Sequence, residues 1–257
     1  MDMNEIITIA GQKGGTGKSV TAVNLASSLA LMEKNTLLID CDPQGCATKW
    51  SGINEKDYNC DISSVLSGRA KVKDAIIKSQ FRCLDLMPAG FSLFQVALKL
   101  AKNPGNGKLL RLFLRDIDSL YDYIIIDSPS SYSFLSTAAM TAADWLLICM
   151  TREYGSSEDF RSLLRMVKYI QKVHRVPLKI AGLLFNRVQS NEDIHSCLEE
   201  KELADIQGMV YKCFIPDDRN VQKAIDCSIP IALHDIRSPA SMAYLDFAKE
   251  IHFSFNE

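Results

Sequence analysis

A glycine-rich segment with two lysines and a serine lies near the start of the chain, at residues 11–19. It separates a β-branched run from a helical pattern, where backbone N–H groups and a helix N-terminus can converge on an anion. Gly14, Gly15 and Gly17 would let the backbone approach phosphate oxygens without Cβ clashes. Lys18 would reach the β- and γ-phosphates of a nucleotide, and the Ser19 hydroxyl would bind Mg²⁺. The alternative is an ordinary glycine-rich turn, which the presence of both Lys18 and Ser19 disfavours.

Acidic side chains end two of the apolar runs that follow. Asp40 and Asp42 come at the end of one run, and Asp127 ends another. Phosphoryl transfer asks mainly for positioning and charge stabilisation, which carboxylates beside a phosphate-binding loop can supply. Two acids in a turn before a proline are also common without such a role, so this pattern alone leaves both interpretations open.

Strand-like and helix-like segments alternate along the chain and must position these side chains. The predicted strands are 6–10, 36–40, 84–87, 123–127, 145–150, 179–185 and 209–215. The predicted helices are 19–33, 91–102, 108–119, 133–143, 157–174, 192–206, 219–226 and 239–252. Because the strands are continuous apolar runs, we expect a mostly parallel sheet with helices on both faces. The prediction is therefore one doubly wound α/β domain over residues 1–257.

Composition agrees with an ordinary globular protein. The 257 residues are 47% hydrophobic and 23% charged, which excludes a disordered or fibrous chain. No apolar stretch approaches the ~20 residues of a membrane span, and acids stand where a signal peptide would carry basic residues. The eight cysteines are scattered without a Cys-x-x-Cys pair, which favours reduced thiols over disulfides or zinc. We expect a cytoplasmic protein.

The glycine-rich loop departs from the common phosphate-loop pattern, which would require glycine where Gln12 stands. A second lysine, Lys13, precedes the paired glycines instead, so that residues 13–19 read Lys-Gly-Gly-Thr-Gly-Lys-Ser. This resembles the deviant Walker A motif of the ParA/MinD family of P-loop ATPases. The resemblance implies an ATPase that uses ATP and Mg²⁺ and forms a homodimer in the ATP state. It implies that Thr16 and Val20 also contact the nucleotide, and that Lys13 reaches the nucleotide of the partner subunit.

Further segments resemble the same family. Residues 38–45 resemble its switch after the second strand, which implies that Asp40 supports the Mg²⁺ shell and Asp42 orients the attacking water. Residues 123–129 resemble the Walker B strand, with Asp127 holding Mg²⁺ through water and Ser130 replacing a second proline. The catalytic residues implied are thus Lys13, Lys18 and Asp42.

Two weaker segments resemble the family's base-recognition elements. Asn186 and Arg187 resemble its adenine-recognition segment, and Pro216 and Asp217 its second base-contacting turn. An Asn-Arg pair closing a strand is more often only a loop when it stands alone. Position 217 is usually basic in close ParA relatives but acidic here, which argues against DNA contacts near that turn.

The branch of the family is indicated by what the chain carries at its two ends. Its last helix has no basic face and so predicts no membrane anchor, unlike the MinD type. A first strand near residue 5 predicts a short ParA without an N-terminal DNA-reading domain. The resemblance then implies non-specific double-stranded DNA binding, association with the nucleoid when ATP is bound, and a ParB-like activator.

Basic residues on one helical face are the candidate DNA contacts. Arg161, Arg165, Lys168 and Lys172 are spaced by four, three and four residues, although a solvated helix face is the default interpretation. Arg219 and Lys223 form a second candidate pair. Further basic residues that could contribute are Lys71, Lys73, Lys78 and Arg82.

Two other functions stay open. The first is an ATPase of the same fold that positions a cargo other than DNA, such as a chemoreceptor array, flagellum, microcompartment or secretion machine. The second is a small-molecule P-loop enzyme of the dethiobiotin-synthetase type. Lys13 and the segment around Asp42 argue against the second.

Overall fold

The computed structural model describes residues 4–11, 13–153, 157–200 and 203–256, and Gln12 lies outside these ranges. The strands are β1 Glu5–Ala10, β2 Thr36–Asp40, β3 Ile77–Lys78, β4 Leu84–Met87, β5 Tyr123–Asp127, β6 Trp145–Thr151, β7 Lys179–Val188 and β8 Ile215–Pro216. The first helices are α1 Lys18–Leu31, α2 Cys46–Trp50, α3 Ile62–Leu66, α4 Ser92–Leu100, α5 Leu109–Leu114 and α6 Phe134–Ala142. The later helices are α7 Ser157–His174, α8 Asn191–Glu200, α9 Arg219–Asp226, α10 Ile231–His234 and α11 Pro239–Asn256. Short 3₁₀ helices occupy Glu55–Asp57, Val72–Ala75, Pro104–Lys108, Asp118–Leu120 and Ala204–Met209.

The strands form one sheet in the order β3-β4-β2-β5-β1-β6-β7-β8. Every pairing is parallel except that of β3 with β4. Buried β-branched and leucine side chains dominate the central strands, as expected for a parallel sheet covered on both faces. This confirms the predicted doubly wound α/β fold.

Alternate residues of each strand point to opposite faces and build two separate cores. Ile7, Ile9 and Leu38 pack under α1 and α11, together with residues of α9 and α10. Ile6 and Ile39 belong to the other core, which the helices between α3 and α8 cover. The period of two along each strand therefore explains why both faces need helices.

One predicted strand is wrong. Residues 209–215 do not form a strand: Val210 makes a single bridge to Leu183, and only Ile215 and its neighbour Pro216 pair with β7. The backbone N–H groups of Lys212 and Cys213 donate to the Glu250 carboxylate of α11 instead of to a strand.

The predicted helix 108–119 breaks into a 3₁₀ turn, α5 and a second 3₁₀ turn. The predicted helix 192–206 ends at Glu200, and a 3₁₀ helix begins at Ala204. Helices α2, α3 and α10 and strand β3 are additions that the sequence analysis did not predict. These elements are short, so they carry too few residues for a periodic pattern.

Two further expectations concern the whole chain. None of the eight cysteines, all of which lie in the described ranges, forms a disulfide. Among the described residues, no helix is both long enough and apolar enough to span a bilayer.

Candidate functional site

The predicted site residues meet at the carboxyl edge of the central strands. The register pairs Asp40 of β2 with Asp127 of β5, and pairs Ile9 of β1 with the same aspartate, just before the glycine-rich loop. A cavity of about 550 Å³ opens at this edge. The predicted residues that line it are Gly14, Gly15, Gly17, Lys18, Ser19, Val20, Asp42, Asn186, Arg187, Pro216 and Asp217. One cavity thus gathers predicted residues from four separate segments of the chain.

The glycine-rich loop leads directly into α1. Gly17 adopts a left-handed conformation with φ of 86° as the N-terminal boundary residue of the helix, and no side chain caps that end. The amides of the first turn therefore stay available to an anion. A Cβ on Gly17 would lie 2.8 Å from Nδ2 of Asn186, so the Asn186 side chain would have to shift. Glycine is required here by both backbone and packing.

Lys18 is buried at the inner wall of the loop, with only 7% of the residue exposed. Its Nζ donates to the Lys13 carbonyl at 3.0 Å and lies 3.5 Å from Oγ1 of Thr16. Burial lowers the pKa of this ammonium group, and nearby acidic groups, Cys149 first and then Asp127 and Asp42, act in the opposite direction. A phosphate in the loop would add the negative charge that this buried cation requires.

Asp127 carries two buried carboxylate oxygens without a hydrogen bond to any described residue. Burial, followed by the charge of Asp40, raises the pKa of Asp127 well above its usual range. The Ser19 hydroxyl lies beside it, off the geometry of a hydrogen bond, and acts to lower that pKa. Orphaned buried oxygens of this kind need an explanation, and a cation held beside Ser19, which lines the cavity, supplies one. The Asp127 carboxylate and the Ser19 hydroxyl are oxygen donors that suit Mg²⁺.

The remaining ligands of such a cation would include groups other than a cluster of protein side chains. Among the described residues, no three His, Cys, Asp or Glu side chains form a cluster that could hold a metal ion. Mg²⁺ keeps several waters and usually binds through one or two protein groups plus substrate phosphates. The donor set therefore fits a metal that arrives with a nucleotide.

Asp40 is fully buried, and its carboxylate organises the segment that follows β2. It accepts hydrogen bonds from the backbone N–H and the hydroxyl of Thr48, both at 2.8 Å, and from the Asp42 N–H at 3.1 Å. Burial raises the pKa of Asp40 to about 6, although the hydrogen bonds from Thr48 and Asp42 oppose the shift. The role of Asp40 in a Mg²⁺ shell stays a prediction, and its observed bonds hold the neighbouring aspartate in place.

Asp42, unlike Asp40, lines the cavity itself. One of its carboxylate oxygens, Oδ1, accepts the Gln44 N–H at 2.9 Å, which fixes the side chain in a tight turn. Gly45 closes that turn with φ of 64°, and a Cβ there would lie 2.9 Å from the Ala89 carbonyl. The turn is thus pinned against the end of β4, with the Asp42 carboxylate beside the phosphate-binding loop.

Asn186 and Arg187 lie within β7, which extends three residues beyond its predicted end. The Asn186 amide is 3% exposed and donates to the Thr16 carbonyl at 2.9 Å and to Oγ1 of Thr21 at 3.3 Å. The Arg187 guanidinium donates to the Gly15 carbonyl at 2.7 Å. Pairing of β7 with β8 brings Pro216 and the exposed Asp217 to the same edge. Contacts of these residues with a base stay predictions.

Other residues of the cavity escaped the sequence analysis. Trp50 and Cys46 come from α2, Val221, Gln222 and Ile225 from α9, and Tyr244 from α11. Their elements are either very short or distant in sequence from the loop, and no motif marks them. The predicted nucleotide-site residues that do not line the cavity are Lys13, Thr16, Asp40 and Asp127. Lys13 pairs with Asp159 at the start of α7, and the other three are buried.

The candidate DNA contacts lie on the surface, as the helical spacing predicts. Arg161, Arg165, Lys168 and Lys172 are all exposed on α7, whereas Phe160, Leu163, Val167 and Ile170 are buried on its other face. Arg165 bonds to the Glu158 carboxylate at 2.5 Å, so part of the charge of this face is compensated. Arg219 lines the rim of the cavity, and Lys223 lies next to Asn220 on α9.

A phosphate-binding loop between β1 and α1, beside a switch aspartate and a buried strand-end aspartate, defines a P-loop nucleotide hydrolase. The family model described as an AAA domain, AAA_31, matches residues 4–180. The sporulation initiation inhibitor protein Soj of Bacillus subtilis (strain 168) is 35% identical over 249 residues, which cover 97% of this chain and 98% of Soj. The chromosome partitioning protein ParA of Caulobacter vibrioides is 32% identical over 248 residues, which cover 96% of this chain and 93% of that protein. The chain belongs to the ParA family of P-loop ATPases. This family membership confirms the predicted ATPase activity.

Solved structures share the fold. Cobyrinic acid a,c-diamide synthase from Mycobacterium smegmatis, with bound ADP and magnesium, matches with a TM-score of 0.85. The match covers 99% of this chain and 96% of that structure at 24% sequence identity. At this identity the similarity supports the fold alone.

Proposed function

We propose that this ATPase binds ATP with Mg²⁺, dimerises in the ATP state, and holds DNA without sequence preference in order to partition a plasmid or chromosome. A ParB-like protein would stimulate its hydrolysis. The observation that carries the proposal is the combination of a phosphate-binding cavity with an extra lysine, Lys13, that lies outside that cavity. This half-exposed lysine can reach a second subunit once it leaves Asp159. The similarity to Soj and ParA, a chromosome partitioning protein, supports the same function.

Different residues at the cavity would contact different parts of a bound nucleotide. The loop amides and the buried Lys18 bind the phosphates, because they supply positive charge in a site of low dielectric. Ser19 and Asp127 would hold Mg²⁺, which neutralises charge on the β- and γ-phosphates. Asp42, fixed by its bond to the Gln44 N–H, orients a water molecule for attack.

DNA binding is assigned to the exposed face of α7. Its basic residues Arg161, Lys168 and Lys172 are exposed to solvent and can meet phosphates. Phosphate contacts carry no base information, so the binding is indifferent to sequence and falls steeply with salt. In a dimer the face is present twice, which raises affinity through simultaneous engagement.

The test is retention on non-specific double-stranded DNA with ATP–Mg²⁺ or ADP–Mg²⁺, at low and moderate salt. We expect retention with ATP only and a loss of retention as salt rises. A triple variant, Arg161→Ala, Lys168→Ala and Lys172→Ala, should lose retention while keeping basal hydrolysis. Its matched control removes three exposed basic residues elsewhere, at Lys99, Lys102 and Arg115. Equal retention by both triple variants would exclude α7 as the contact surface.

A second candidate function is an ATPase that positions a cargo other than DNA. Two observations favour it: Glu158 compensates Arg165, and the exposed Asp217 lies beside Arg219 at the cavity rim. Both reduce the positive charge that DNA phosphates require. Absence of DNA retention in either nucleotide state, with hydrolysis intact, would favour this function over DNA partition.

A further inference from the structure

Two adjacent residues at the end of β7 hold two adjacent carbonyls of the phosphate-binding loop. The Arg187 guanidinium donates to the Gly15 carbonyl at 2.7 Å, and the Asn186 amide donates to the Thr16 carbonyl at 2.9 Å. The partners are separated by 172 and 170 positions in the chain. These two bonds therefore join the loop to a strand that β6 separates from β1 in the sheet.

Peptide planarity turns these contacts into control of the loop amides. In a trans peptide the C=O of one residue and the N–H of the next point in opposite directions. Bonds that hold the Gly15 and Thr16 carbonyls therefore also fix the orientation of the peptide planes that carry the N–H groups of Thr16 and Gly17. Loop amides aimed inward are the groups that bind phosphate oxygens in such loops.

The local backbone and packing support the contacts of Asn186 and Arg187 with the loop. Arg187 adopts a left-handed backbone conformation with φ of 58°, which is uncommon for a residue with a Cβ. Asn186 is 3% exposed, and its Nδ2 would lie only 2.8 Å from a Cβ on Gly17. The unusual backbone at Arg187 and the close approach at Gly17 both serve to bring these side chains onto the loop.

We propose that Asn186 and Arg187 are positioning residues that orient the loop amides for the triphosphate, so that they act on the phosphates through the loop. We call this pair the loop clamp. The proposal rests on nucleotide binding in the proposed function, but not on DNA or a protein partner. It differs from adenine recognition, the role that the family resemblance implies for the same two residues.

Inorganic tripolyphosphate separates the two roles because it has phosphates and no base. Calorimetry measures the affinities of the 257-residue protein for Mg²⁺–ATP and for Mg²⁺–tripolyphosphate. The variants are Arg187→Ala, Arg187→Lys and Asn186→Leu, the last of which keeps the side-chain size and removes the donor. The control is Arg175→Ala, since Arg175 is also exposed and left-handed, with φ of 51°, but lies at the end of α7.

We expect Arg187→Ala and Asn186→Leu to lower the affinity for both ligands by the same factor, about tenfold. This is the size of effect that follows the loss of a hydrogen bond involving a charged or buried group. Arg187→Lys should recover part of the affinity, and Arg175→Ala should change the affinity for neither ligand. The ratio of ATP to GTP affinity should stay as in the unmodified protein. Weaker ATP binding with unchanged tripolyphosphate binding would overturn the clamp in favour of base recognition.

Folding is monitored by thermal unfolding for every variant. Arg187 is exposed, so its variants decide the question even if Asn186→Leu unfolds. Unchanged affinity of Arg187→Ala for both ligands would overturn the clamp while leaving the proposed function intact. The two proposals can also separate in the other direction. If the unmodified protein is not retained on DNA but Arg187→Ala binds tripolyphosphate about tenfold more weakly, the proposed DNA function is rejected and the clamp is supported.

Discussion

The ammonium group of Lys13 lies 3.0 Å from the carboxylate of Asp159, in the first turn of α7. The Lys13 side chain is 52% exposed and that of Asp159 is 23% exposed. This ion pair holds the lysine on its own subunit, outside the cavity that Lys18 and Ser19 line. A Lys13 that contacts the nucleotide of a second subunit must first leave Asp159. Ion pairs with this much solvent contact are worth only about 0–1 kcal/mol, so the exchange is accessible.

Replacement of Asp159 by asparagine should favour the ATP-bound dimer, because it frees Lys13 without changing the size of the side chain. The expected increase in dimer affinity is up to about fivefold, the equivalent of the ion pair's energy. Sedimentation in the presence of Mg²⁺–ATP measures the dimer affinity, with every protein carrying a further substitution that prevents hydrolysis. Glu158→Gln is the control, since Glu158 pairs with Arg165 instead. A weaker dimer in Asp159→Asn would mean that the aspartate acts within the dimer.

Lys13→Ala should abolish dimer-dependent hydrolysis and spare nucleotide binding by the monomer. The reason is that Lys13 does not line its own cavity, whereas a charge brought to a partner's phosphates would stabilise the transition state. We expect a loss of at least about tenfold in turnover at high protein concentration. Turnover is compared across a range of protein concentrations, with Lys34→Ala as the control. Turnover that stays at the level of the unmodified protein would refute the role.

Asp42→Ala should trap an ATP-bound dimer. Asp42 is the one of the three strand-end acids that lines the cavity, so its loss removes the group that orients water and leaves the phosphate-binding loop intact. Hydrolysis should fall about a hundredfold, in the range of a lost general base. The lifetime of the dimer is followed by size-exclusion chromatography after excess ATP is removed. Asp116→Ala, an exposed acid, serves as control, and normal hydrolysis in Asp42→Ala would contradict the assignment.

The pH dependence of stability should include a contribution from Glu5, which is 7% exposed and accepts the Trp145 indole N–H at 2.6 Å. Burial is the main cause that raises the pKa of Glu5 above its ordinary value of 4.5. The folded state thus binds this proton more tightly than the unfolded state, so stability falls as pH rises from about 4.5 through the raised pKa. Glu5→Gln removes this loss.

We therefore expect the stability of Glu5→Gln relative to the unmodified protein to increase between pH 4 and pH 7. Urea unfolding followed by tryptophan fluorescence measures the difference at each pH. Glu33→Gln, at an exposed position, is the control and should show a flat difference. A stability difference for Glu5→Gln that does not change with pH, or that shrinks as pH rises, would argue against the raised pKa.

The predictions from sequence succeeded where the signal is local. Strands β1, β2 and β5 are continuous apolar runs, and helices α7 and α9 begin and end at the predicted residues. The phosphate-binding loop could be recognised because its residue types and their spacing are set by the chemistry of a phosphate. The prediction failed at residues 209–215, where the N–H groups of Lys212 and Cys213 donate to Glu250 of α11 and not to a strand.

The sequence by itself determined the longer strands and helices along the chain, the phosphate-binding loop, and the family. Tertiary structure decided which residues from distant segments meet that loop. The parallel register placed Asp40 opposite Asp127, and α7 brought Asp159 to Lys13. The loop clamp of Asn186 and Arg187 reaches its carbonyls from about 170 residues away. Local sequence encodes backbone preference and hydrophobic pattern, whereas contacts between distant side chains depend on strand order, register and crossover, which no short segment of the chain contains.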